Sequence, residues 1–247
     1  MESKTSDVNQ IRTRLVDRWL NAVLANIHPP TCLLCRSATN DYDICPVCDA
    51  DLPRIPHACR QCGIGLPNAT DSQCGACLKQ PPYFDNTIAA LAYQFPVNGL
   101  IQQFKFGRHL AAGRLLSQLL ADTVANQSTP LPEVLFPVPM VRWRRAGRGF
   151  NQSMEIGRDL ASLLGLSLDH SALVKVRNTT PQAELSRRQR RVNLRGVFDF
   201  HPKAQVPATA ALVDDVMTTG STVSECARVL KQAGVEKVSV WVLARAA

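Results

Sequence analysis

Residues 211–223 read Ala211-Leu212-Val213-Asp214-Asp215-Val216-Met217-Thr218-Thr219-Gly220-Ser221-Thr222-Val223. A short apolar run feeds two adjacent acids, then a loop of small hydroxyl residues and glycine, then a helical pattern. Val223, Cys226, Ala227, Val229 and Leu230 fall on one face of a helix over Ser221–Ala233. A loop rich in N–H groups and hydroxyls at a helix N-terminus is an anion site suited to phosphate. Two carboxylates just before it suit sugar hydroxyls and Mg²⁺. Phosphate, diol and metal together describe a ribose 5-phosphate carrying a diphosphate. The plainer reading is a buried strand and a capped helix with two turn acids, but adjacent acids at a strand end need partners.

The surrounding chain alternates as an α/β protein does. Strands are expected at Thr87–Tyr93, Val134–Val138, Leu173–Val176, the acid-pair segment and Val238–Leu243. Helices are expected at Val97–Phe106, Leu110–Asn126 and Asn151–Leu164. Strands separated by helices imply a parallel sheet with ligands at the strand C-termini. The basic, glycine-containing loop after Val138 and the polar, partly helical stretch Thr179–Arg195 should converge there with Asp214.

Eight of the nine cysteines form C-x-x-C pairs, Cys32/Cys35, Cys45/Cys48, Cys59/Cys62 and Cys74/Cys77, with nine, ten and eleven residues between pairs. Each pair makes a knuckle that points two thiolates at one ion, and two knuckles close a tetrahedral Cys₄ site. Four knuckles make two sites, read as closed structural zinc sites, with an iron–sulfur cluster or redox disulfides as the alternatives. Sequential pairing is the simplest arrangement, and the spacing also allows a cross-braced one. Few large apolar residues lie in this segment, so it needs metal to fold. Cys226 sits on the apolar helix face and reads as a core residue.

The formal charge of +8 is concentrated between Val138 and Arg195, where 12 Lys and Arg face 4 Asp and Glu. Arg142, Arg144, Arg145 and Arg148 form one run. Arg187, Arg188, Arg190, Arg191 and Arg195 form the other. Such a block attracts a diphosphate or a nucleic acid, although the second run also fits a solvated helix face. Residues 1–30 carry an amphipathic helix, with Ile11, Leu15, Trp19, Leu20, Val23 and Ile27 in helical period before Pro29-Pro30. It is expected to pack on the protein, with membrane or partner docking as the alternative. Arg12, Arg14 and Arg18 argue against a secretory leader, and no apolar run is long enough to span a bilayer. A cytoplasmic protein with reduced thiols is expected, without membrane insertion. The expected division is the helix over 1–30, a double zinc ribbon over 31–79, and an α/β domain over 80–247.

The stretch Val213–Thr222 resembles the 5-phosphoribosyl 1-diphosphate (PRPP) motif of type I phosphoribosyltransferases. With the cysteine pairs, Pro137-Val138-Pro139, Arg148-Gly149-Phe150-Asn151-Gln152, and Thr180-Pro181-Gln182 with Arg190 and Asn193, the chain from about 31 to 245 resembles the ComF-type competence proteins, also called GntX-like. The resemblance implies a type I phosphoribosyltransferase-like sheet behind an N-terminal double zinc ribbon. It implies that Arg148, Gly149 and Asn151 belong to a diphosphate loop, similar to the Arg-Gly-Phe loop of adenine phosphoribosyltransferase. Gln182 and Arg190 would belong to a mobile lid like that of amidophosphoribosyltransferases. Val213, Asp214 and Asp215 would meet the ribose, directly or through Mg²⁺, and Thr218, Thr219, Gly220, Ser221 and Thr222 the 5-phosphate. Asp214, Asp215 and Arg148 would carry catalysis, which transfers phosphoribosyl to an unknown acceptor. The competing implication is a binding module that holds PRPP, a nucleotide or single-stranded DNA, or docks a helicase, during DNA uptake.

Overall fold

The computed structural model describes residues 31–39, 43–107, 109–140, 151–177 and 194–247. The expected leading helix, the basic loop at 141–150 and the polar stretch at 178–193 lie outside the described residues. The chain divides into two units, Met1–Asp51 and Leu52–Ala247.

The first unit holds the first two knuckles. Thr31 and Ala38 bridge antiparallel around the Cys32–Cys35 turn, where Arg36 N donates to Cys32 O at 2.8 Å. A short helix, α1 (Pro46–Ala50), starts from Cys45. Proline suits this first helical position because its missing N–H has no intrahelical partner there.

The second unit opens with the same design. Ala58 and Gly65 bridge around Cys59–Cys62, and α2 (Gly75–Lys79) starts from Cys74. The elements that follow are β1 (Asn86–Ala92), α3 (Val97–Gly107), α4 (Leu110–Ala125), β2 (Val134–Pro137), α5 (Gln152–Leu164), β3 (Ser167–Leu168), β4 (Leu173–Lys175), β5 (Phe198–Phe200), β6 (Thr209–Met217), α6 (Ser221–Ala233) and β7 (Lys237–Arg245).

Five strands form one sheet in the order β1-β7-β6-β2-β3, and every pairing in it is parallel. β6 and β7 read as nearly continuous apolar runs because both faces of the sheet are covered. Ala210, Leu212, Val238, Val240 and Val242 face Val223, Cys226, Ala227 and Leu230 of α6. The opposite face is covered by α4 on β1 and β7 and by α5 on β2 and β6, with α3 packed on α4. Leu116, Leu120, Ile156 and Leu160 are fully buried in this second layer. Each such side chain contributes roughly 1.5–3 kcal/mol relative to exposure.

β4 departs from the expected set. It pairs antiparallel with β5, outside the parallel sheet, with Leu173 opposite Phe200 and Lys175 opposite Phe198. This ribbon lies on the α6 side, where Phe200 meets Phe136 edge-on at 6.1 Å. Neither β5 nor the two-residue β3 is signalled by sequence periodicity, since both are too short to show one. Among the described residues, no helix is long and apolar enough to cross a membrane.

Strand order fixes where a ligand can sit. The β2–α5–β3 and β6–α6–β7 units run toward opposite edges of the sheet, so right-handed crossovers put α5 and α6 on opposite faces. β2 and β6 are neighbours. The loops leaving their C-terminal ends therefore part and open a crevice, the switch point at which open α/β sheets bind ligands.

Candidate functional site

The acid pair lies in the C-terminal half of β6, three and two residues before its last residue, Met217, at this crevice. Asp214 Oδ1 accepts from Ser153 Oγ at 2.9 Å and from the Asp215 amide at 2.9 Å. Asp215 Oδ2 pairs with Lys105 Nζ at 2.8 Å, with both side chains mostly buried. Gln152 Nε2 donates to Lys105 O at 3.3 Å. The last turns of α3 and the first turn of α5 are thereby held against the strand end. Burial, and next the Asp215 charge, push the Asp214 carboxyl up to about 7, while Ser153, the Asp215 amide and Lys105 oppose the rise. A carboxyl poised near neutrality can accept a hydrogen bond from a sugar hydroxyl or donate one to it.

Beyond Met217 the chain turns through an exposed Thr218 and a half-buried Thr219 to Gly220. Gly220 caps α6 at φ 71° and ψ 5°, in the left-handed region. Thr219 Oγ1 and Ser221 Oγ lie 3.0 Å apart. Ser224 N donates to Gly220 O at 2.9 Å, which closes the first turn. The turn thus gathers two hydroxyls at the positive end of a 13-residue helix.

Val213 is buried and pairs with Pro137. Thr222 is half-buried beside the buried Ser221. Asn151 caps α5 without a side-chain cap bond. The structure therefore brings Val213 to Thr222 to the crevice together with the helix that Asn151 begins. Arg148, Gly149, Gln182 and Arg190 lie outside the described residues. Among the described residues, Arg177 donates to Gly196 O at 3.0 Å and to Arg195 O at 2.5 Å. Sequence reasoning missed Lys105 and Ser153. Lys105 carries no local signal, whereas Ser153 directly follows the Arg-Gly-Phe-Asn-Gln run.

The cysteines fall into two clusters, Cys32/Cys35/Cys45/Cys48 and Cys59/Cys62/Cys74/Cys77, each with all Sγ atoms within 4.8 Å of one another. This is the sequential pairing, and the cross-braced alternative is ruled out. Sγ atoms from different knuckles approach to 3.6 Å for Cys35 and Cys45 and 3.7 Å for Cys62 and Cys74. Tetrahedral zinc with Zn–S near 2.3 Å requires sulfurs about 3.8 Å apart, so the cradles fit that ion. The Cys48 amide points at Cys45 Sγ at 3.5 Å and the Cys74 amide at Cys59 Sγ at 3.3 Å, as thiolates require. Burial alone would raise Cys32, but the backbone donors of Cys35 and Cys45 bring it down to about 6. Burial likewise would raise Cys74, but the Cys77 amide and the neighbouring thiols bring it down to about 7. Cys226 is fully buried among apolar side chains. Burial and the nearby Asp214 charge hold its thiol well above the ordinary value, which suits a core residue and not a nucleophile.

A parallel sheet with an acid pair at its switch point, a hydroxyl loop opening the next helix, and two Cys₄ clusters nearer the start of the chain define an α/β protein that carries cysteine-ribbon modules. The double zinc ribbon domain family matches residues 23–78. DNA utilization protein YhgH of Salmonella typhi is 37% identical over 225 residues, covering 88% of this chain and 97% of that protein. Competence protein F of Haemophilus influenzae is 35% identical over 223 residues, covering 87% and 96%. Competence protein ComFC of Bacillus subtilis is 25% identical over 240 residues, covering 87% and 94%. The chain belongs to this ComF-type family of competence and DNA utilization proteins. Among solved structures, the glutamine PRPP amidotransferase of B. subtilis complexed with ADP and GMP matches 53% of this chain and 26% of its own, at 20% identity and a TM-score of 0.36. TT1426 from Thermus thermophilus matches 53% and 72%, at 20% identity and a TM-score of 0.32. These two likenesses are too distant to argue from.

Proposed function

We propose that the chain binds PRPP along residues 213–222, with Mg²⁺, and transfers its phosphoribosyl group to an acceptor. The observation that carries this reading is the partnered acid pair at the switch point, Asp214 on Ser153 and Asp215 on Lys105, directly before the hydroxyl loop. Asp214 and Asp215 would meet the ribose hydroxyls and Mg²⁺, for which two adjacent carboxylates are a suitable oxygen donor set. Magnesium, when bound, supplies positive charge to the diphosphate. Thr218 to Thr222 would take the 5-phosphate. The acceptor's lone pair forms the new bond to C1 as the C1–O bond to diphosphate breaks, and diphosphate leaves with that electron pair. Arg148 would stabilise the growing charge, and closure of residues 179–195 would exclude water.

The eight paired cysteines would hold two structural zincs, with the ribbons over 31–79 and the transferase-like domain over 80–247. Thiolate ligands fit a reducing cytoplasm. The names of the relatives support a place in DNA uptake.

The test uses PRPP and Mg²⁺. Ligand at a hundred times its dissociation constant stabilises the folded state by roughly 2.7 kcal/mol, read as a raised Tm. Asp214→Asn with Asp215→Asn should abolish the shift in a folded protein. Diphosphate release from PRPP with a panel of bases and amines then tests transfer. An unchanged shift in the double variant would refute the reading.

The charge block between Val138 and Arg195 favours a second reading, a non-catalytic adaptor for single-stranded DNA or a helicase. Arg190→Ala should weaken PRPP binding and Arg187→Ala should not, if transfer is right. If the adaptor reading is right, both should weaken oligonucleotide binding and each should flatten the salt slope by about one unit.

A further inference from the structure

β7 ends on Arg245, a residue only 5% exposed. Its Nε donates to Cys62 O at 2.7 Å. Its Nη1 donates to Met217 O at 3.1 Å, to Thr218 O at 2.5 Å, and to Ala246 O. None of these acceptors is a carboxylate, so they occupy the Nε and Nη1 donors without cancelling the guanidinium charge. Cys62 is a ligand of the second Cys₄ site. Met217 is the last residue of β6, and Thr218 is the first of the hydroxyl loop. One buried side chain therefore joins a metal knuckle to the loop.

The join has a geometric consequence. In a trans peptide the C=O and the following N–H point in opposite directions. With the carbonyls of Met217 and Thr218 drawn inward to Arg245, the amides of Thr218 and Thr219 are aimed outward. That is the orientation an anion needs. The uncancelled guanidinium charge behind the loop adds to the attraction.

The other end of the join depends on the knuckle. Gly63 N bonds Cys59 O at 2.7 Å. Thr87 of β1 bonds Arg60 O through its amide at 3.1 Å and Gln61 O through its hydroxyl at 2.7 Å. The knuckle is thus seated on the sheet on one side. On the other, Arg60 N donates to Ser72 O at 2.9 Å and Gln61 Nε2 to Phe84 O at 3.2 Å, and the rest of its hold comes through the thiolates of Cys59 and Cys62. Metal in the cluster supplies that hold.

We propose that Arg245 is a positioning residue through which metal occupancy of the Cys59/Cys62/Cys74/Cys77 site sets the anion affinity of the Thr218–Thr222 loop. The proposal rests on the reading of that loop as the 5-phosphate site of PRPP. Coupling between two sites is reciprocal and commonly worth about 5–150-fold in affinity. Loss of metal from the second cluster should therefore weaken PRPP about tenfold or more, while loss from the first should not.

The experiment uses the full chain and three readouts: bound zinc per chain, calorimetric affinity for PRPP and for ribose 5-phosphate, and hydrogen exchange of the 218–222 amides. Cys62→Ser should lower both affinities and speed exchange of those amides. Cys35→Ser, in the first cluster, should change neither. Arg245→Gln should lower affinity to a similar extent with zinc still bound. In that background, stripping zinc with a chelator should produce no further loss. Arg245→Lys, which keeps the charge but not the fork, provides a milder variant should the glutamine variant fail to fold. The proposal is overturned if chelation weakens PRPP equally with and without Arg245, or if Cys62→Ser binds PRPP as the wild type does. If the wild type binds neither ligand, the PRPP reading fails. Metal-dependent exchange at 218–222 then decides the coupling by itself, its absence overturning the proposal and its presence sustaining it.

Discussion

At Asp214 two carboxylates meet at the end of a buried strand, and the arrangement opposes ionisation. Burial first, and the Asp215 charge second, raise this carboxyl from 3.8 to about 7. The folded chain therefore holds a proton that the unfolded chain has already released. The group's contribution to stability is present below about pH 4 and is lost as pH rises through about 7. Wild-type Tm should fall between pH 5 and pH 8, whereas Asp214→Asn should show a flatter profile and melt above the wild type at pH 8. The same variant should lose the PRPP shift, as expected of a site whose ligand chemistry opposes stability. Parallel Tm profiles for the two proteins would show that Asp214 does not carry this proton. Ser153 acts on the same carboxyl from α5, and Ser153→Ala should raise the midpoint of that profile because it removes a bond that favours the charged form.

The hydroxyl loop and α6 work as one element because Gly220 turns the chain in the left-handed region between them. An L side chain there costs roughly 1–2 kcal/mol. Gly220→Ala should lower urea stability by about that much and also reduce PRPP affinity. Gly234 ends the same helix at φ 112°, so Gly234→Ala should lower stability comparably and leave PRPP affinity unchanged. Equal effects of the two substitutions on PRPP would move the ligand away from the helix N-terminus. The boundaries of α6 match those expected from its 3.6-residue apolar period, since burial against the sheet demands that period and nothing else competes. β4 shows the reverse. Three apolar-rich residues cannot tell a parallel sheet from a two-stranded ribbon, and that choice fell to Phe198 and Phe200, which β4 meets only after folding.

For the whole molecule, metal analysis should find two zincs per chain. Cys59→Ser with Cys62→Ser should halve that number and cost stability, because the knuckle it opens is bonded to β1 and β7 of the sheet. Iron, or no tightly bound metal, would remove the basis for both sites. Full structural retention in the double variant would show that the second site is dispensable.

The acid pair, the hydroxyl loop and the cysteine knuckles were legible because each is a local pattern whose chemistry depends on residues a few positions apart. The partners that make those patterns a site were not. Lys105 reaches Asp215 of β6 from α3. Arg245 bonds Cys62 across 183 residues and Met217 across 28. Nothing in a lysine ending an amphipathic helix, or an arginine ending an apolar strand, marks it as different from any surface cation. Only the sheet order, which sets β7 beside β6 and seats the second ribbon knuckle on β1, puts Arg245 out of water among main-chain carbonyls. A buried guanidinium needs acceptors, and the tertiary structure alone decided that the carbonyls it meets belong to a cysteine knuckle and to the end of β6 with the hydroxyl loop after it.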